Sequence, residues 1–362
     1  MKMYYYFAAM AFAAAGLASC SEDKNEPDVP ELEKTTNHVY VLNQGNFYNG
    51  IEGGLSVISY DTKSVAPNVF KDANNRSLGD TPQCGVAYGS KVYVGTSVSN
   101  TIEIMDRESY LSYKQIRLSE NPENGTSPYS MVAHNGKVFI SMYDGYLARL
   151  DTLTMTIDKS IAVGANPDQI ALYKNKIYVP ISEGMNWPNY GTTACVVDPE
   201  TMTIEKTFTV GLNPTQFLEA DGHLFCLCKG NYGDIASKLY EVYSDFSIRE
   251  VCPATIVASY GDKVAVIDQP FVEGDPIINY SLYNPQNGEV KEWGIERPDY
   301  ANNIFYDATK DRLLISSYIM NGMYPSYDMP GYVNVYDGSN ESLLFKADLG
   351  AAGPACIFTH QK

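Results

Sequence analysis

Histidine and tryptophan are scarce in this 362-residue chain, with four of the first and two of the second. Four histidines leave little material for imidazole acid–base chemistry or metal ligation. Basic charge is scarce too: 26 Lys and Arg stand against 43 Asp and Glu, a net charge of −17. So acidic a chain offers no basic face for a nucleic-acid backbone and no attraction to anionic lipid. After one apolar run at residues 4–18, nothing in the sequence reaches the roughly 18 residues that a membrane-spanning helix needs. Gly-x-Ser-x-Gly, His-Glu-x-x-His and P-loop patterns are absent. So is a spaced Asp-x-Asp-x-Asp cluster of the kind that holds calcium. The reading is therefore of a protein that is not an enzyme, with no catalytic residue, metal site or catalytic cofactor. Tyrosine is plentiful, at 29 against 13 Phe; it suits strands and wet binding surfaces alike.

Residues 4–18, YYYFAAMAFAAAGLA, follow Lys2 and have the length of a secretory signal core. They end in Leu17-Ala18-Ser19-Cys20, which resembles the bacterial lipobox. That resemblance implies a signal peptide over 1–19 and lipidation of Cys20. Residues 20–36 are polar and broken by proline, a flexible tether. Ser21-Glu22-Asp23 resembles the surface-export signal of Bacteroidetes lipoproteins. It implies an outer-membrane protein facing the cell exterior, touching the membrane through its lipid alone.

The rest, residues 37–362, repeats. A short β-branched or aromatic strand recurs at Val39-Tyr40-Val41, Val92-Tyr93-Val94, Val138-Phe139-Ile140, Ile177-Tyr178-Val179, Leu224-Phe225-Cys226, Val264-Ala265-Val266 and Leu313-Leu314-Ile315. Tight turns such as Asn135-Gly136 and Asp221-Gly222 precede it. Proline-led starts lie further upstream: Pro82-Gln83, Pro128-Tyr129, Pro167-Asp168, Pro214-Thr215 and Pro253-Ala254, with a sixth start near Asn302-Asn303. Each unit reads as four short antiparallel strands, A to D, the size of one propeller blade. The last segment, Pro354 to Phe358, is an A strand with no B strand after it; His38 to Val41 is a B strand with no A strand before it. Joined, they complete a blade and remove the open edge. The expected fold is all-β, a seven-bladed propeller whose closing blade is shared by both ends of the chain.

In such blades the A–B and C–D turns lie on one face and the B–C and D–A loops on the other. The B–C loops are expected to be long and to form a binding platform: 43–54, 142–146, 182–193, 229–237, 268–279 and 317–332. They carry the candidate ligand-binding residues Phe47, Tyr48, Tyr143, Trp187, Tyr190, Tyr232, Phe271, Tyr324 and Tyr327. Residues following the A-strand starts should approach the axis, adding Gln83, Tyr129, Asp168 and Gln216. Carboxylates such as Glu273 and Asp275 are frequent in these loops, and Lys229 is their one basic residue. An aromatic, amide-rich surface suits a large neutral or cationic ligand. Phosphorylated ligands fit it poorly, because little neutralises them. The four histidines fall toward the opposite face. Of the six cysteines after Cys20, Cys84, Cys195, Cys226 and Cys356 fall in expected strands, where thiols fill apolar space. One disulfide is left open.

Asn166-Pro167 and Asn213-Pro214, Lys91-Val-Tyr-Val94 and Val196-Val-Asp-Pro-Glu-Thr-Met202 resemble the YncE-like seven-bladed propellers. With the lipobox, the acidic tether and Val41-Leu-Asn-Gln-Gly-Asn-Phe47, the chain is similar to the BtuG-type surface lipoproteins of Bacteroides. That resemblance implies capture of cobalamin or a related corrinoid outside the cell and its transfer to a TonB-dependent outer-membrane transporter. The alternative is a glycan-binding lipoprotein of a polysaccharide-uptake system, with the same fold and address.

Overall fold

The computed structural model describes residues 38–270 and 277–361. The signal segment, Cys20, the tether over 20–36, Phe271, Glu273 and Asp275 lie outside the described residues. Seven four-stranded antiparallel sheets form a seven-bladed β-propeller. Blade 1 joins Pro354–Phe358 to His38–Asn43, Gly54–Ser59 and Ser64–Ala66. Blade 2 has Pro82–Tyr88, Lys91–Thr96, Thr101–Asp106 and Ser112–Arg117; blade 3 has Pro128–His134, Lys137–Met142, Tyr146–Asp151 and Thr156–Ala162. Blade 4 comprises Ala171–Tyr173, Lys176–Ile181, Thr193–Asp198 and Thr203–Thr209; blade 5 comprises Pro214–Ala220, His223–Cys228, Lys238–Val242 and Ile248–Pro253. Ile256–Tyr260, Lys263–Asp268, Asn279–Tyr283 and Val290–Glu292 make blade 6. Tyr300–Asp307, Arg312–Tyr318, Pro330–Asp337 and Leu343–Ala352 make blade 7.

Burial explains the sequence pattern. B strands lie between neighbouring blades and are apolar on both faces: Val39 to Leu42 and Val92 to Val94 are fully buried. D strands face water, as in Thr203–Thr209, where only Phe208 is buried. Each apolar cluster lies between two adjacent blades. Cys84, Val86, Tyr93 and Ile102 of blade 2, for example, pack on Met131, Val138, Ile140 and Ala148 of blade 3. The last such seam, between blades 7 and 1, joins Val335 and Ala347 to Val39, Val41 and Ile357. The first described strand and the chain's last A strand thus meet in blade 1, where Tyr40 pairs with Phe358 and Leu42 with Cys356. The Tyr40 and Phe358 rings stack 5.2 Å apart. His360 and Gln361 then pair in parallel with Ala87 and Tyr88 of blade 2.

Four details differ from the sequence reading. Tyr143-Asp144-Gly145 is a tight three-residue turn, so the 142–146 segment is not a long loop. Its backbone is held by Gly145, at φ 120°, a conformation that side chains disfavour. Pro253 ends the D strand of blade 5 and does not start blade 6, whose A strand begins at Ile256. Pro167 makes only an isolated bridge, to Ile181, ahead of the short strand Ala171–Tyr173. The D–A segment between blades 1 and 2 holds a helix, Val69–Asn74, whose Val69 and Phe70 are buried against blade 1. Helical spacing over six residues is too brief to stand out beside period-2 strands. The six cysteines Cys84, Cys195, Cys226, Cys228, Cys252 and Cys356 are free thiols, all but Cys356 buried. Cys226 and Cys228 share a strand face, with sulfurs 3.7 Å apart.

Candidate functional site

The A strands converge on the axis, and five of their starts share one irregularity, four of them led by proline. In blade 2, Pro82 pairs with Thr96 but Cys84 with Gly95, leaving Gln83 as an extra residue. The same one-residue bulge falls at Tyr129 in blade 3, Thr215 in blade 5, Asn302 in blade 7 and Ala355 in blade 1. Proline supplies no N–H to the ladder, and a bulge re-aims the side chain after it. Asp168 follows Pro167 in blade 4, and Thr255 takes the corresponding place in blade 6, where its N–H bonds Ile267. Five of these residues, Tyr129, Asp168, Thr215, Thr255 and Asn302, line a polar axial cavity of about 230 Å³.

A second ring comes from the B strands. Tyr143, Ser182, Lys229 and Gln269 each stand one residue beyond a B strand, and Tyr318 ends one. The first three line the axial cavity. Lys229, Gln269 and Tyr318 line a larger groove of about 820 Å³. The two spaces share Lys229, Tyr232, Thr255, Ile256 and Asn302, so they form one continuous mouth. Tyr300, Tyr327, Ile235, Pro253 and Pro270 give the groove its apolar walls. Rings of the mouth contact one another: Tyr318 and Tyr327 meet edge-on at 5.0 Å in the groove, and Tyr190 of the axial cavity meets Tyr232 at 5.9 Å. Tyr129 and Tyr143 stack at 4.6 Å beside Asp168.

The charges of the mouth are few. Asp168 is 5% exposed, and burial raises its pKa well above the usual carboxylate range; the Gln169 N–H and Lys229 only partly oppose this. Burial lowers Lys229 to about 8, against the pull of Asp168. Its ammonium donates to the Thr255 carbonyl. Tyr129 titrates higher than a free tyrosine, first because of Asp168 and then because of burial. Burial also raises Asp268, in the groove wall.

Among the sequence-derived candidates, Tyr129, Tyr143, Asp168, Tyr190, Gln216 and Tyr232 meet in the axial cavity, and Tyr232 and Tyr327 in the groove. Phe47, Tyr48, Trp187 and Tyr324 line neither space. They stand on the rim, with Trp187 73% and Tyr324 74% exposed. Two rim loops are tied together: the Asn46 and Asn49 amides both donate to Asp328 at 2.7 and 2.9 Å. Gln83 accepts from the Gln44 amide at 2.6 Å and lines neither space. Sequence reasoning missed Lys229, Thr255, Gln269 and Tyr300 as site residues. The available signal was register: Val138, Ile177, Leu224, Val264 and Leu313 each precede a mouth residue by five positions. Lys229 also means that the mouth holds a positive charge to set against an anionic group. None of the four histidines lines the mouth.

A family model described as "Domain of unknown function (DUF5074)" matches residues 37–308. No curated protein matches the chain. Among solved structures, a candidate 6-phosphogluconolactonase of Bacteroides uniformis is 13% identical with a TM-score of 0.60, covering 89% of this chain and 99% of that one. Hydrazine synthase of Kuenenia stuttgartiensis is 13% identical with a TM-score of 0.58, covering 76% and 88%. Dihydro-heme d1 dehydrogenase NirN is 12% identical with a TM-score of 0.53, covering 92% and 77%. At such identities the likeness is one of fold alone.

Proposed function

Because the chain belongs to the DUF5074 family, whose description assigns no activity, we propose its function from the mouth itself: it captures a bulky, uncharged, amide-rich ligand of the corrinoid class, cobalamin foremost. The continuous mouth carries this reading. Its groove of about 820 Å³ has apolar tyrosine walls and opens into a polar cavity at the axis. A ligand with a broad apolar body and hydrogen-bonding arms uses both parts: the tyrosines cover the body and the polar cavity takes an arm. The protein acts by binding, without turnover. It is a lipoprotein held at the outer membrane through Cys20, facing outward, and it passes its ligand to a TonB-dependent transporter. The sequence resemblances carry these last steps.

The test is titration of the mature chain with cyanocobalamin, by calorimetry and by red co-elution on size exclusion. Stoichiometric tight binding is expected. Absence of binding at micromolar protein overturns the reading. A second reading rests on Trp187, whose exposed ring offers a face for a sugar. It predicts that an oligosaccharide binds and that Trp187→Ala abolishes this.

A further inference from the structure

Three amide side chains at the mouth share one habit. Gln216 of blade 5 donates its amide N–H to the Val257 carbonyl of blade 6, at 3.3 Å. Gln269 of blade 6 donates to the Ala301 carbonyl of blade 7, at 3.3 Å. Asn302 of blade 7 donates to the Pro354 carbonyl of blade 1, at 2.6 Å. A backbone carbonyl only accepts, so each bond fixes which end of the amide is nitrogen. Each group thus gives an N–H to the next blade and keeps its oxygen. The Gln269 oxygen is buried with no hydrogen-bond partner, on a residue 9% exposed. Such an acceptor is costly to leave unmatched.

We propose that the mouth is a subsite for a primary carboxamide: an uncharged arm of the ligand enters and gives its N–H groups to these side-chain oxygens. This rests on the corrinoid reading and names the part of the ligand that the axis selects. Hydrogen-bonding capacity, not charge, separates the two nearest rivals, since the mouth holds Lys229 as well as Asp168 and Asp268. A carboxylate can pair with Lys229 but brings no N–H for the amide oxygens. An ammonium brings N–H groups but no acceptor for Lys229. A carboxamide is neutral, and its oxygen can accept from Lys229 or from a tyrosine hydroxyl while its nitrogen donates. A site built for N–H donors discriminates strongly against an analogue lacking them, because its buried acceptors then go unpaired.

Two experiments test this. Crystals of the mature chain soaked in propionamide or in propionate read the subsite without reference to cobalamin. Propionamide seated with its nitrogen on the Gln216, Gln269 or Asn302 oxygen supports the inference. Propionate seated equally well, or both molecules absent from the mouth, overturns it. In competition binding, at least one monocarboxylic acid derivative of cyanocobalamin is expected to bind at least tenfold more weakly than cyanocobalamin. Gln216→Met should weaken cyanocobalamin by a similar factor and that derivative by less than threefold. If cyanocobalamin binds and every monocarboxylate binds within twofold of it, the inference falls while the corrinoid reading stands. If cyanocobalamin does not bind, the corrinoid reading falls and the propionamide soak alone decides the subsite.

Discussion

The turn face and the axial mouth of the propeller use aspartate in opposite ways. On the turn face, Asp106, Asp151, Asp198 and Asp337 each accept backbone N–H groups two and three residues ahead. These bonds outweigh partial burial at Asp106 and hold it at about 2, with the Tyr113 hydroxyl helping. The Lys137 ammonium and turn N–H groups lower Asp151; Lys176 and turn N–H groups lower Asp198. At the mouth, Asp168 lies buried with few donors, and its pKa moves up. The turn face uses its carboxylates to stitch turns. The mouth holds a carboxyl in a place that costs stability, which is characteristic of functional sites.

The largest expected effect breaks the contrast by opening the ring that supports both regions. Phe358→Ala removes a ring that stacks on Tyr40 at the closing blade. It should cost about 3–5 kcal/mol in denaturant unfolding and weaken ligand binding with it. Next comes the mouth alone. Tyr232→Ala and Tyr327→Ala should each weaken cyanocobalamin about tenfold by calorimetry and leave the melting temperature nearly unchanged. The converse is a turn variant: Asp151→Ala should cost about 1 kcal/mol of stability and leave affinity unchanged.

The smallest effect is read in pH. A carboxyl lowered by folding stabilises above its unfolded pKa, and this support is lost as pH falls through the folded value. The melting deficit of Asp151→Ala should therefore shrink as pH drops from 5 toward 2. A carboxyl raised by folding behaves oppositely: its destabilisation appears as pH rises above the unfolded value. Asp168→Asn should thus match the parent near pH 3 and melt higher than the parent at pH 7. A gain for Asp168→Asn at pH 3 with none at pH 7 contradicts the assignment.

Much of the fold was legible because blade structure is local. Val92-Tyr93-Val94 after a Gly89-Ser90 turn, and Asp198 heading its own turn, act through neighbours a few residues away. Closure was legible too, since an unmatched A strand and an unmatched B strand have one remedy. The site was legible in half. Tyr129 and Asp168 were found because each directly follows a proline, whereas Thr255 was missed because Pro253 belongs to the preceding strand. Lys229 read as a loop cation until folding set it beside Asp168, 61 positions away in the chain.

The sequence by itself determined the all-β repeat, its seven units, the shared closing blade and the turn face. Each of these follows from period-2 burial and short-range hydrogen bonding. Tertiary structure decided how the mouth is assembled. Which bulged residues meet at the axis, which amide oxygens remain free, and which charges are buried together depend on how seven inner strands converge. Those contacts join residues from different blades, and no local pattern in the chain encodes them.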